Sequence, residues 1–304
     1  MKKLWIILLS LSLVILGGCS LQPPQWAKPA KKDKLEDIKI GLSVSTLNNP
    51  FFVSLKDGVV KEAKKHGMAT IIIDAQNDSA KQINDVEDLI QKGVDVLLIN
   101  PTDSSAISTA VQSANAIGIP VITLDRSADK GEVVTLVASD NVKGGQMAGS
   151  LIVDQLGEGA KVAELEGVPG ASATRERGKG FHLVADKKLK VVAKQTANFD
   201  RTQGLNVMEN LLQGNPDIQA VFAHNDEMAL GAMEAIASSG KDILVIGFDG
   251  NEDAIKSVQA GQLAATVAQQ PELIGQLSVK AAGDALKGTK VEKVIPAPLK
   301  MVTK

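Results

Sequence analysis

Cysteine occurs once in this chain of 304 residues, tyrosine not at all, and aromatic residues make up only 3% of it. A single thiol, Cys19, excludes any intramolecular disulfide, so stability has to come from a packed core. It also leaves no thiol to join His66, His182 and His224 in a metal site, and these three histidines show no ligand spacing. Trp5 and Trp26 both lie ahead of residue 37, so the folded part has six aromatic residues: Phe51, Phe52, Phe181, Phe199, Phe222 and Phe248. Its core must therefore be aliphatic. Nor is there an excess of either charge. The 33 basic and 35 acidic residues give no electrostatic reason to expect nucleic acid.

Several enzyme signatures are missing too. Gly157 and Gly159 begin a G-x-G, but Val162 stands where a dinucleotide fingerprint needs glycine. No Walker phosphate loop is present. The run Gly170 to Thr174 lacks the second glycine of a nucleophile elbow. Asp249, Asn251 and Asp253 begin like a calcium loop, yet Ala254 and Ala260 replace the turn glycine and the bidentate glutamate. With no carrier for a metal, a cofactor or a nucleophile, the chain is expected not to be an enzyme.

What is present begins with residues 1–18, where Lys2 and Lys3 precede an apolar stretch from Leu4 to Leu16 and the small pair Gly17-Gly18. This is the pattern of a secretory signal, and its apolar run is short for a permanent span. With Cys19 the segment resembles the lipobox of bacterial lipoproteins. That resemblance implies cleavage before Cys19, an acyl lipid including palmitate on this residue, and an extracytoplasmic protein anchored to the cell membrane. Residues 19–36 are rich in proline and lysine and read as a tether.

About 270 residues remain, more than one compact core usually holds. Apolar, β-rich runs alternate there with helical patterns. The runs 38–44, 69–75, 94–100, 121–124 and 133–139 form one series, and 160–167, 189–195, 218–223, 243–248 and 263–269 a second. Asn49-Pro50 opens a helix as cap and first turn, and a last helix is expected from Pro271 to Leu286. Continuous rather than alternating apolar strands argue for parallel sheets covered on both faces. The chain therefore reads as α/β, with two Rossmann-like lobes. The lobes are expected over 37–139 with 270–298, and 140–269 with 299–304.

Candidate site residues stand just past the carboxyl ends of these runs, where an open parallel sheet forms its ligand crevice. Asn49, Phe51 and Phe52 follow the first run. Asp125-Arg126 follows VITL, Asn225 follows AVFAH, Asp249 follows LVIGF, and Gln269 follows LAATVA. Each has a plainer reading. Asn49, Asn225 and Asp226 could cap helices, Phe52 continues an apolar helix face, and Asp125-Arg126 could be a surface ion pair. Arg175 and Arg177 could form a solvated face. The shared address weighs against these readings, since independent caps have no need of arginine, glutamine and paired phenylalanines. Carboxylates accept, guanidinium groups donate through a planar fork, amides do both, and phenyl rings offer flat walls. Together they suit a small hydroxyl-rich molecule such as a monosaccharide.

The runs STLNNPFF, VITLDR, ATRERG, NFDR, AHNDEMALGA, GFDG and ATVAQQP resemble, from about residue 37 to the end, the ribose-binding members of the type I periplasmic binding protein family. The resemblance implies two lobes joined by a three-stranded hinge. It implies D-ribose as ligand, a membrane permease of an ABC importer as partner, and a monomer. It carries the ligand contacts onto Asn49, Phe51, Phe52, Asp125, Arg126, Arg177, Phe199, Asn225, Asp249 and Gln269, and leaves Arg175 as structural. Another monosaccharide, or a sensor feeding a membrane kinase, remains as an alternative.

Overall fold

A computed structural model describes residues 32 and 34–304. The signal-like segment 1–18, Cys19 and most of the tether lie outside the described residues. The first lobe holds β1 (Lys39–Val44), α1 (Pro50–Lys65), β2 (Ala69–Asp74), α2 (Ser79–Gln91), β3 (Val96–Ile99), α3 (Ser108–Ala116), β4 (Val121–Leu124) and β5 (Thr135–Ser139). The chain then crosses to α4 (Asn141–Leu156), β6 (Lys161–Glu166), α5 (Ser172–Lys188), β7 (Lys190–Thr196) and α6 (Arg201–Gly214). The second lobe continues with β8 (Ala220–Ala223), α7 (Asp226–Ser239), β9 (Leu244–Asp249), α8 (Glu252–Ala260) and β10 (Ala265–Ala268). A second crossing returns it to α9 (Pro271–Leu286) and β11 (Val294–Ala297), and a third leads to β12 (Lys300–Thr303).

The strands form two six-stranded sheets, ordered β11-β5-β4-β3-β1-β2 and β12-β10-β9-β8-β6-β7. This is the two-lobed α/β architecture with three connections that the sequence suggests. Each sheet is covered on both faces by largely aliphatic side chains. Leu42, Val44, Leu55 and Leu98 lie on one side of the first sheet and Val86, Leu97, Ile99 and Val111 on the other. Period-two alternation is lost because neither face meets water. In the second lobe Phe181 and Phe222 pack with ring centroids 4.9 Å apart.

The sequence reading did not include β11 and β12. Both are four-residue edge strands; β11 contains Pro296, which an edge tolerates, and its Val294 is 55% exposed. All the pairings are parallel except β10 with β12. The exception has a simple cause. After β11, parallel to β5, the chain enters the second sheet from its carboxyl edge, so it must run against strands that point toward that edge. The three crossings, at residues 139–141, 268–271 and 297–300, join the carboxyl edges of the two sheets and set them face to face.

Candidate functional site

The cleft between the carboxyl edges is built by local backbone breaks. Asn49 caps α1, its Oδ1 accepting from Phe51 N at 2.9 Å. That fixes Phe51 and Phe52 in the first turn, edge to face, with centroids 5.2 Å apart. The Phe51 ring joins the first lobe's core while lining the cleft. Asp125, after β4, has φ 63°, an uncommon left-handed conformation that ends the strand's alternation. Asp125 and Arg126 are both 3% exposed, with Nε of Arg126 3.5 Å from Asp125 Oδ2. Arg126 donates to the Pro101 carbonyl at 3.0 Å. Its guanidinium lies 5.0 Å from the Phe52 ring of its own lobe and 5.1 Å from the Phe199 ring of the other.

From the second lobe, Arg177 of α5 donates through Nε to Asn141 Oδ1 at 2.9 Å and through Nη1 to the His224 carbonyl. It lies 3.8 Å from the centroid of Phe248. Asn198 and Phe199 both have positive φ, and the Phe199 ring lies over Gly167, where a Cβ would come within 2.1 Å of it. Asn225 caps α7 by accepting from Met228 N at 2.9 Å and donates to the Phe199 carbonyl at 3.2 Å. Asp249 (φ 124°) accepts from Gln269 Nε2 at 2.9 Å and faces Arg177 at 3.5 Å.

Nine of the ten sequence-predicted residues line one space between the lobes, together with Ala173. Gln269 stands behind Asp249, bonded to it. Arg175 is not among them. It bridges the lobes at the rim, with Nη2 donating to Asp129 Oδ1 at 3.0 Å. Backbone bonds reinforce this closed arrangement: Ser104 N donates to the Gly170 carbonyl and Ser127 N to Ser172 Oγ. Larger hollows exist elsewhere, such as one bounded by Pro120, Gly131 and Val133 at the amino end of β4. Size does not select the site; that hollow lacks the converging charged and aromatic groups.

Three buried polar atoms of the predicted set have no protein partner: Asp125 Oδ1, Arg126 Nε and Gln269 Oε1. Buried polar groups are normally satisfied, so Asp125 Oδ1 and Arg126 Nε, whose residues line the space, mark where a polar guest would bond. Burial pushes the Asp125 carboxyl up, against the pull of Arg126 and Arg177. Asp249 is pushed well above the usual carboxylate range, again by burial first. Burial brings Arg126 down to about 10, which leaves it charged at neutral pH. Two carboxylates against two guanidinium groups give a site balanced for a neutral guest. Among the described residues no cluster of His, Cys, Asp or Glu could hold a metal ion, and no helix is long and apolar enough to cross a membrane.

Sequence reasoning missed Ala173, Asn141 and Asn100. Asn100 ends β3 at the same sheet edge as the residues chosen, so the signal was available. Its amide is consumed inside the protein, accepting from Ser45 Oγ at 2.7 Å and donating to the Leu124 carbonyl at 3.1 Å.

Residues 40–290 match the family described as periplasmic binding protein domain. The chain is 72% identical over 303 residues to the ribose import binding protein of Bacillus subtilis (strain 168), covering 100% of this chain and 99% of that one. It is 57% identical to the Escherichia coli (strain K12) protein of the same name, over 87% of this chain and 90% of that one. Among solved structures, a Caulobacter myo-inositol binding protein bound to myo-inositol superposes with a TM-score of 0.84 at 33% identity, covering 90% of this chain and 95% of that one.

Proposed function

The chain belongs to the periplasmic binding protein family, and from that premise we propose that it is an extracytoplasmic receptor that encloses D-ribose between its lobes and delivers it to the permease of an ABC importer. The observation that carries this reading is the convergence of Asp125, Arg126, Arg177, Asp249 and the Phe51, Phe52 and Phe199 rings on one space between the lobes. The 72% identity to a ribose import binding protein supports the choice of sugar. Asp125, Arg126, Arg177, Asn225, Asp249 and Gln269 hydrogen-bond the sugar hydroxyls. Phe51, Phe52 and Phe199 wall the ring, and Asn49 adds a polar contact. The protein binds without converting its ligand.

A pentose has about ten heavy atoms, and micromolar binding needs about −8 kcal/mol, under one kcal/mol per atom, which full enclosure can supply. The lobes, 37–139 with 270–298 and 140–269 with 299–304, close by a hinge at the three crossings. That the two sheets draw their strands from those ranges supports the division. The receptor acts as a monomer and is held at the membrane by a lipid on Cys19. Titration calorimetry with a panel of sugars tests the reading. Heat with ribose at micromolar affinity is expected; heat with a hexose and none with ribose would move the specificity, and silence from every sugar would end it.

A further inference from the structure

Behind the cleft lies a carboxylate to which the binding reading gives no task. Asp226 is fully buried and does not line the ligand space. It follows the cap residue Asn225, so its sequence position suggests a second cap. Its oxygens instead turn away from their own helix. Oδ1 accepts from Thr266 Oγ1 at 2.7 Å and Oδ2 accepts from Asn251 N at 2.7 Å. Thr266 Oγ1 in turn accepts from Gly250 N at 3.2 Å. No lysine or arginine pairs with Asp226 among the described residues, and burying an uncompensated carboxylate is costly.

The segment these bonds hold is the turn that carries Asp249. Asp249 and Gly250 are two successive residues at positive φ, 124° and 77°. For a residue with a Cβ that conformation is strained, and it persists only where the surroundings impose it. Close packing constrains the neighbouring glycines as well. Gly247, inside β9, leaves the room Asp226 needs, since a Cβ there would come within 2.3 Å of Asp226 Oδ1. A Cβ on Gly250 would meet Ala268 Cβ at 2.5 Å. The turn also fixes Gln269, whose backbone N donates to the Asp249 carbonyl at 2.9 Å while its side-chain amide donates to Asp249 Oδ1. Thr266 and Gly247 thus lie on two stretches of chain distant from Asp226, yet both adjoin one buried group.

We propose that Asp226, with Thr266, is a positioning residue for the ligand: it clamps the strained Asp249–Gly250 turn so that the Asp249 carboxylate faces the sugar, with the Gln269 amide bonded behind it. The inference rests on the receptor reading and adds to it. Asp226 acts through Asp249 without touching the guest.

A double-mutant cycle tests it, with ribose affinity measured by calorimetry up to millimolar sugar. D226N in the native background is expected to weaken ribose binding by about tenfold or more. In a D249G background, where the side chain is gone and the left-handed turn is unstrained, the same change is expected to weaken binding by less than about twofold. Equal losses in the two backgrounds would overturn the proposal. If circular dichroism shows that D226N does not fold, T266V, which removes the hydroxyl at similar shape, takes its place in the same cycle. Amide exchange supplies a readout independent of sugar. D226N should speed exchange at Asn251 and Gly250 far more than elsewhere in the second lobe, and unchanged protection there would also overturn the clamp. A native chain that bound no sugar while Asn251 exchange still rose would sink the receptor reading and leave the clamp standing.

Discussion

The two lobes hold their halves of the cleft by different chemistry. Behind the strand ends of the first lobe lies a neutral amide network. Gln82 donates to Ser43 Oγ and to the Asn100 carbonyl, and accepts from Thr102 N, while Asn100 ties β1 to β4. Behind the strand ends of the second lobe lies a charged one. Glu164, fully buried, contacts His224 at 2.9 Å and His182 at 2.9 Å, and His182 reaches Asp186 at 2.7 Å near the surface. The difference teaches that equivalent places in two similar lobes can be made rigid with or without titratable groups. Of these two networks, only the second holds titratable groups.

The largest effects should come from the two arginines. Arg126→Ala and Arg177→Ala are each expected to lower ribose affinity by about 100-fold or more, the scale of losing charge-assisted bonds in an enclosed site. They should part company in stability. Arg126 makes one hydrogen bond, to the Pro101 carbonyl, beside its contact with Asp125, so its loss should lower the melting temperature of the unliganded protein only slightly. Arg177 satisfies Asn141 and the His224 carbonyl, so its loss should lower that temperature as well. Equal destabilisation by both variants would erase the distinction between the lobes.

Next come the networks themselves. Glu164→Ala strips a buried carboxylate from two imidazoles and should cost about 3 kcal/mol in urea unfolding. Gln82→Ala should cost about 2 kcal/mol, by leaving buried groups unpaired. The loss at Gln82 should be the same at pH 5.5 and pH 8.

A smaller effect separates the halves most sharply. His182 is held above its ordinary value of 6.5: burial opposes its charge, but the hydrogen bonds and charges of Asp186 and Glu164 outweigh it. A raised value means that its contribution is fully present below pH 6.5 and is lost as pH rises through the folded-state value. Glu164 is held below 4.5, with burial opposing and His224 and His182 prevailing, so its contribution is lost as pH falls through the folded-state value. The network is therefore strongest between about pH 4.5 and 6.5. The stability gap between native protein and His182→Gln should be widest near pH 5.5 and narrow above pH 8; a gap flat in pH would mean that the charged network does not titrate as described. The smallest effect belongs to Arg175→Ala. It removes an exposed ion pair across the rim and should weaken ribose binding by about two- to threefold, through a less populated closed form.

Much of the scaffold was legible because its signals are local. Asn49-Pro50 and Pro271 mark helix starts by capping and φ preference alone, and uninterrupted runs such as 96–99 announce strands buried on both faces. The strand-end address also singled out most of the residues that the structure gathers around one space, while Phe199 entered only through the family resemblance. The edge strands Val294–Ala297 and Lys300–Thr303 were illegible, because four half-exposed residues carry no periodicity and pair only once a sheet edge exists. Helix periodicity does not show that the Phe51 ring also joins the core, because that core wraps around a first turn. The bracing role of Asp226 is invisible in the sequence because its partners, Asn251 and Thr266, lie 25 and 40 residues away.

The sequence by itself determined that the core is aliphatic and free of disulfides, where most strands and helices begin and end, and which polar side chains stand at the sheet edges. Those properties follow from composition and from interactions within a few residues. Only the tertiary structure decided that the two edges face each other, that Arg126 lies between a phenyl ring of each lobe, and that the second half of the cleft is braced by charge and the first by amides. Such choices depend on which distant side chains share a space too small for water, and spacing along the chain carries no measure of that.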